Sequence, residues 1–271
     1  MRRLIVSGDD LGLHPGINAG VLRGHREGIV TSASLCPNGA AFEDAVAGLR
    51  GAPGLDVGIH LTLVGEAPTL PADRLPTLAP GGRLPSHFTA LFLRLALRRV
   101  RESEVEEELM AQVARARDAG LTPSHLDSHQ HVHLHPALLP VVARVARRFG
   151  IGAVRASRRM ESARSLRSAL LTLASRGGAG RLREAALRTP DGLVGIAETG
   201  RLDESRLLAL VAALPEGTSE LVCHPGAGDG AIGSAYAWGF GWDAETAALT
   251  SPAVREAIRR EDVRLIGYRD L

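Results

Sequence analysis

Leu4-Ile5-Val6-Ser7-Gly8-Asp9-Asp10-Leu11-Gly12 opens the chain, and Leu13-His14-Pro15-Gly16-Ile17 follows it directly. The run 4–8 has the length and apolar character of a strand buried in a parallel sheet. Pro15 stands where a first helical turn begins, Ile17, Val21 and Leu22 share one face, and Gly28 closes the run. Strand, acidic pair and helix together make one β/α unit that carries its carboxylates at the strand's C-terminal end.

The same unit recurs outward from this point. Further strand-like runs fall at 31–36, 56–63, 125–129, 153–157, 193–197, 220–224 and 263–268, with helical patterns between most of them. Ser103 and Glu106 predict a capping box for a helix that stops at Gly120. Pro136 predicts the start of another, which carries Leu139, Val142, Val145 and Ala146 and ends near Gly150. This alternation predicts an α/β fold with a parallel sheet, closed or nearly so. A barrel of this kind needs about 250 residues, so 271 residues are expected to form a single domain, 1–271. Two stretches break the rhythm: a Pro- and Gly-rich loop at 64–87 and an Arg-rich insertion at 158–192, both expected as lids.

Composition narrows the function. A formal net charge of +2 argues against nucleic acid, and no apolar run approaches the roughly 20 residues of a membrane span. The opening Met1-Arg2-Arg3 leads into too few apolar residues for a signal peptide, so a cytoplasmic location is expected. Cys36 and Cys223 read as buried free thiols. All 32 basic residues are Arg, and twelve of them lie within 144–188 against two Glu. Compositional bias accounts for the missing Lys but not for that clustering. Arg is suited to phosphate and carboxylate.

Five histidines fall in Ser124-His125-Leu126-Asp127-Ser128-His129-Gln130-His131-Val132-His133-Leu134-His135. Neutral imidazole is a common ligand of first-row divalent metals, so such density points to a metal site. On a strand, His125, Asp127 and His129 share a face, while His131 and His133 lie beyond its end. His125 is the first substitute should His129 not serve. Asp9-Asp10 reads either as a helix cap or Asx-turn, or as a metal ligand beside a general base. His60 and His224 each end an apolar run, where a ring is either a partnered core residue or a ligand. Asp9, Asp10, His60, His129 and His224 sit at the C-terminal ends of four different strands, which form one face in a β/α barrel. One Asp and two His make a facial triad with open positions.

Ile5-Val6-Ser7-Gly8-Asp9-Asp10-Leu11-Gly12 resembles the opening block of the YdjC-like carbohydrate deacetylases. Gly28-Ile29-Val30-Thr31-Ser32, Gly58-Ile59-His60-Leu61-Thr62-Leu63, the block 125–133 and Cys223-His224-Pro225-Gly226 resemble its later blocks in order. The resemblance runs from residue 4 to about 269, with 64–100 and 158–190 poorly matched, and Leu11 stands where the family commonly has Phe. It implies a single irregular (β/α) barrel with the site at the C-terminal rim. It further implies a hydrolase that removes acetyl groups from N-acetylated sugars with one divalent ion, Mg or Zn. Carried over, it makes Asp10, His60 and His129 the metal ligands, Asp9 the general base and His224 the general acid. Asp127 and Arg155 would orient them. A homo-oligomer is expected. A metal-dependent phosphoesterase and a non-catalytic sugar- or lipid-binding barrel are the alternatives.

Two apolar stripes bear on the substrate. Phe88, Leu91, Phe92, Leu95 and Val100 lie beside Arg94, Arg98, Arg99 and Arg101; Leu166, Leu170 and Leu173 lie beside Arg164, Arg167 and Arg176. Each reads as a lid helix packed on the barrel or as a basic amphipathic helix on an anionic membrane. The middle region resembles the family's hopanoid-associated branch, which implies an N-acetylglucosaminyl lipid as substrate and peripheral contact with the inner membrane.

Overall fold

A computed structural model describes residues 1–157, 159–160 and 166–271, and the side chains of all these except 160 and 166–174. The strands are β1 (Arg2–Leu11), β2 (Ser32–Leu35), β3 (Asp56–Leu61), β4 (Leu126–Ser128), β5 (Arg159–Met160), β6 (Gly192–Val194), β7 (Gly217–Cys223) and β8 (Val263–Leu265). The helices are α1 (Pro15–Glu27), α2 (Phe42–Leu49), α3 (Phe88–Ala96), α4 (Glu102–Asp118), α5 (Leu139–Phe149), α6 (Leu166–Glu184), α7 (Glu204–Ala212), α8 (Asp229–Ala235), α9 (Trp242–Thr250) and α10 (Pro252–Arg260). The sheet runs β4-β3-β2-β1-β7-β6-β5, β8 joins β1, and every pairing is parallel. Bridges from Leu126 to Val154 and from Ala153 to Arg188 continue the curl beyond β4. The result is an α/β sheet rolled into an incomplete barrel.

The strands owe their two faces to simple alternation. On β1, Leu4 and Val6 point out into the helix-packed core, while Ile5, Ser7 and Asp9 point in. Ala33 and Leu35 face out on β2 and Ser34 faces in. On β3, Ile59 and Leu61 face out and His60 faces in. Each buried aliphatic side chain contributes roughly 1.5–3 kcal/mol, so the outward files hold the helices on. Apart from Ile5, these inward positions are polar, so the apolar runs of the sequence enclose a largely polar interior.

Departures from the sequence reading have local causes. The run 153–157 does not continue as a strand, because the Ser157 N–H donates to Ser175 Oγ at 2.8 Å instead of to a neighbouring strand. The fifth strand forms instead at Arg159–Met160, inside the expected insertion, whose Ala179, Leu182 and Leu187 are buried in the core. No capping box forms at Ser103. Arg101 caps α4, its N–H donating to Thr77 Oγ1, while Glu106 binds Arg144. Pro136 lies in the turn before α5, which starts at Leu139 with Pro140 in its first turn.

The loop 64–87 is fastened to α4 by two buried carboxylates. Glu104 accepts from the N–H groups of Thr77 and Leu78 at 2.7 and 2.8 Å, and Glu108 from those of Thr69 and Leu70 at 2.7 and 2.9 Å. On α3, Leu91 is buried and Phe88, Phe92 and Leu95 pack against the core, so this stripe serves the barrel. Leu93 and Leu97 remain exposed. The stripe Leu166, Leu170 and Leu173 lies outside the described side chains. Among the described residues, no helix is long and apolar enough to cross a membrane. Cys36 and Cys223 are buried free thiols.

Candidate metal centre

The inward files converge on Arg155, which is completely buried. Its guanidinium grips both oxygens of Asp9 at 2.6 and 2.7 Å, Asp127 at 2.7 Å, and Glu220 at 2.8 Å, and donates to Ser7 Oγ at 3.0 Å. A planar fork of donors is the one side chain that can hold so many acceptors at fixed angles. Burial pushes Glu220 up to about 7, against the lowering effect of Arg155 and of the Tyr268 hydroxyl that donates to it at 2.6 Å.

Above this hub lie Asp10, His60 and His129, all buried, with ligand atoms within 4.8 Å of one another. Asp9, His60 and Asp127 form a second such set that shares His60. His60 Nδ1 donates to Asp127 Oδ1 at 2.9 Å, which turns Nε2 toward Asp10 Oδ1 at 3.4 Å. His129 Nδ1 faces the same Asp10 oxygen at 2.8 Å. Ser34 Oγ donates to the other oxygen of Asp127 at 2.7 Å and fixes that carboxylate in turn.

The backbone reaches these positions by unusual geometry. The register of β1 against β2 slips between Gly8 and Leu11, and Asp10 sits at φ 67°. Gln130 and His131, just after His129, have φ of 55° and 56°. Such conformations cost of order 1–3 kcal/mol each and occur where a bulge re-aims a side chain.

Electrostatics favour a cation here. Burial lowers the His60 pKa, yet Asp127 and Asp9 raise it to about 10. Burial raises that of Asp10, yet His129 and His60 hold it well below the usual carboxylate range. Three carboxylates, Asp9, Asp10 and Asp127, surround the two rings with one guanidinium beneath. The donor set of one oxygen and two imidazole nitrogens, with a carboxylate behind His60, fits a divalent ion.

The other histidines separate clearly. His224 follows Cys223 as Asp9 follows Gly8 on the paired strand β1, so the two flank the centre on neighbouring strands. It is half-buried, its Nδ1 lacks a hydrogen-bond partner among the described residues, and its ring meets Phe240 at 5.2 Å. It does not join the ligand set. His125 lies outside both groups of candidate ligands among the described residues. Its ring stacks on Tyr268 at 3.6 Å deep in the barrel, where a Cβ at Gly58 would collide with it at 2.3 Å. His133 is tied to Ser128 and to the Arg155 carbonyl. Ser34, Glu220 and Tyr268 escaped the sequence reading. The one signal was a Glu opening the apolar run 220–224.

A parallel β/α half-barrel with a buried Asp–His–His centre at its C-terminal rim has the architecture of a hydrolytic enzyme. The chain belongs to the family described as YdjC-like protein, which it matches over residues 3–260. It is 32% identical over 270 residues to a carbohydrate deacetylase of Geobacillus stearothermophilus, covering 99% of this chain and 98% of that one. It is 36% identical over 273 residues to a chitooligosaccharide deacetylase of Klebsiella pneumoniae, covering 100% and 99%. A crystal structure from Enterococcus faecalis, described as a candidate cellobiose-phosphate cleavage protein, superposes with a TM-score of 0.81 at 27% identity, covering 99% and 98%.

Proposed function

We propose that this chain is a divalent-metal-dependent N-deacetylase acting on N-acetylated amino sugars. The observation that carries it is the buried Asp10–His60–His129 set beside an Asp9 gripped by Arg155. The relatives named as carbohydrate and chitooligosaccharide deacetylases supply the substrate class.

In this reading Asp10, His60 and His129 hold the ion, Mg or Zn. When bound, the ion supplies a Lewis acid for the acetamide carbonyl and lowers the pKa of water toward neutrality. Asp9 accepts the proton of the attacking water. Arg155 fixes both of its oxygens but leaves each a second lone pair for that task. His224 protonates the departing nitrogen, and the products are acetate and a free amine. Asp127 keeps His60 in the tautomer that presents Nε2.

The test is acetate release by protein stripped with chelator and reloaded with Mg or Zn. Diacetylchitobiose, a lipid-linked N-acetylglucosamine and a phosphate monoester are offered in parallel. Metal-restored acetate release from diacetylchitobiose is expected. Preference for the lipid-linked sugar, with binding to anionic vesicles, would bring in the exposed Leu93 and Leu97. Phosphate release without acetate would overturn the reading.

A further inference from the structure

Tyr236-Ala237-Trp238-Gly239-Phe240-Gly241-Trp242 holds four of the chain's nine Phe, Trp and Tyr residues in seven positions, each separated from the next by Ala or Gly. Neighbouring rings touch along the strip: Tyr236 to Trp238 at 4.6 Å, Trp238 to Phe240 at 5.5 Å and Phe240 to Trp242 at 5.6 Å. The strip spans the reaction centre. Trp238 lies 5.4 Å from His129, and Phe240 lies 5.2 Å from His224, ring centre to ring centre.

The strip is built in, not draped. Gly241 N–H donates to the Gly200 carbonyl at 2.9 Å, and a Cβ at Gly200 would strike the Phe240 ring at 2.2 Å. The Tyr236 hydroxyl donates to the Leu13 carbonyl at 3.2 Å and also meets Glu66, which lies within electrostatic reach of His129 and Asp10. Trp242 is buried and anchors the end, whereas Trp238 and Phe240 are only half-buried. A chain this poor in aromatics has kept its two tryptophans and one of its two tyrosines for this single segment.

We propose that Trp238, flanked by Phe240 and Tyr236, is the stacking platform for the pyranose ring whose acetamido group enters the centre. This deepens the deacetylase reading and rests on it for what enters between His129 and His224. The chemistry is general. An aromatic face carries negative quadrupole charge, and the axial C–H face of a pyranose is apolar and weakly positive. Sites for small ligands combine such aromatic walls with a few placed polar groups, here the Glu66 carboxylate and the Tyr236 hydroxyl.

The experiment compares Trp238→Ala and Trp238→Phe with the parent on diacetylchitobiose and on p-nitrophenyl acetate, which has no sugar ring. Trp238→Ala should raise KM for the sugar about tenfold while kcat changes little. Trp238→Phe should restore most of it, and Trp238→Ala should lower kcat/KM for the sugar by a larger factor than for the ester. Diacetylchitobiose should also shift the parent's tryptophan emission and leave that of Trp238→Phe unmoved, since Trp242 is buried. Equal loss of kcat on both substrates would make the strip a mere roof that excludes water and would overturn the proposal. So would an unshifted parent emission at saturating sugar. If no acetyl sugar is turned over yet the emission shift is present and depends on Trp238, the deacetylase reading fails and the platform stands. If acetate is released with an unchanged KM in Trp238→Ala, the platform fails and the deacetylase stands.

Discussion

His125 and His129 flank the two ends of the three-residue strand β4, and the chain treats them in opposite ways. His125 lies on the floor of the barrel, stacked on Tyr268 and bonded to the Ser124 and Ser34 hydroxyls. Burial pushes its pKa down to about 3, with Asp127 only partly opposing. At the other end His129 faces the Asp10 carboxylate, and His60, one strand away, is raised to about 10 by its carboxylate neighbours. Equal burial thus yields a neutral structural ring in one place and a cation-seeking centre in the other. What separates them is the carboxylate in contact.

The comparison breaks first if a rim residue proves dispensable. Asp10→Ala and His60→Ala should each lose bound metal, measured by elemental analysis. Each should lose about a thousandfold or more in kcat/KM, ~4 kcal/mol of transition-state stabilisation. Retained metal and activity in both would move the centre elsewhere. Asp9→Asn separates base from ligand: metal content should hold while kcat falls by roughly 10²–10⁴. Metal loss in Asp9→Asn, with metal kept in Asp10→Asn, would exchange the two roles.

Asp127→Asn tests the support beneath His60. The amide cannot reproduce the carboxylate's charge, so metal affinity should drop by roughly 10–100-fold, read by competition with a chelator. The folded protein should persist, because Arg155 keeps Asp9 and Glu220 as partners. An unchanged affinity would leave the orientation of His60 to the strand alone.

How much of this was legible follows from which interactions are local. The β/α rhythm, Pro15 opening α1 and Gly150 closing α5 depend on neighbours in sequence and were readable there. Asp9, Asp10, His60, His129 and His224 stood out because each interrupts an apolar run at its C-terminal end. Arg155 entered only through a family resemblance, and Asp127, seen to share a strand face with His125 and His129, took its orienting role from that resemblance. Ser34 and Tyr268 were invisible, and Glu220 showed only as a Glu opening an apolar run, because their meaning lies in partners 93, 48 and 65 residues away. The positive φ of Asp10 and Gln130 has no composition signal, since neither position is glycine. Ser103 and Glu106 matched a capping pattern, yet Arg144, on the packed helix α5, claimed Glu106.

The smallest effect on activity should come from the floor, and it sharpens the contrast through pH. His125 is held at about 3 in the folded chain and returns to about 6.5 when unfolded. Between those values the unfolded chain binds the extra proton, so stability is lost as pH falls from about 6.5 toward 3. At pH 5 the loss from this ring is about 2 kcal/mol. His133, lowered to about 4 by burial despite its bond to the Arg155 carbonyl, contributes in the same direction and stays in place. His125→Phe keeps an aromatic ring against Tyr268 and removes its own titration, leaving those of His133 and of His131, which burial also lowers. Its unfolding free energy, measured in urea, should therefore fall about 2 kcal/mol less than the parent's between pH 7.5 and pH 5, whatever its absolute value. Metal content should be unchanged and kcat/KM should stay within about twofold, because no atom of His125 reaches the ligand set. An acid slope equal to the parent's would mean that His125 is not the buried neutral ring described. A loss of metal would join floor to rim and dissolve the distinction between the two ends of β4.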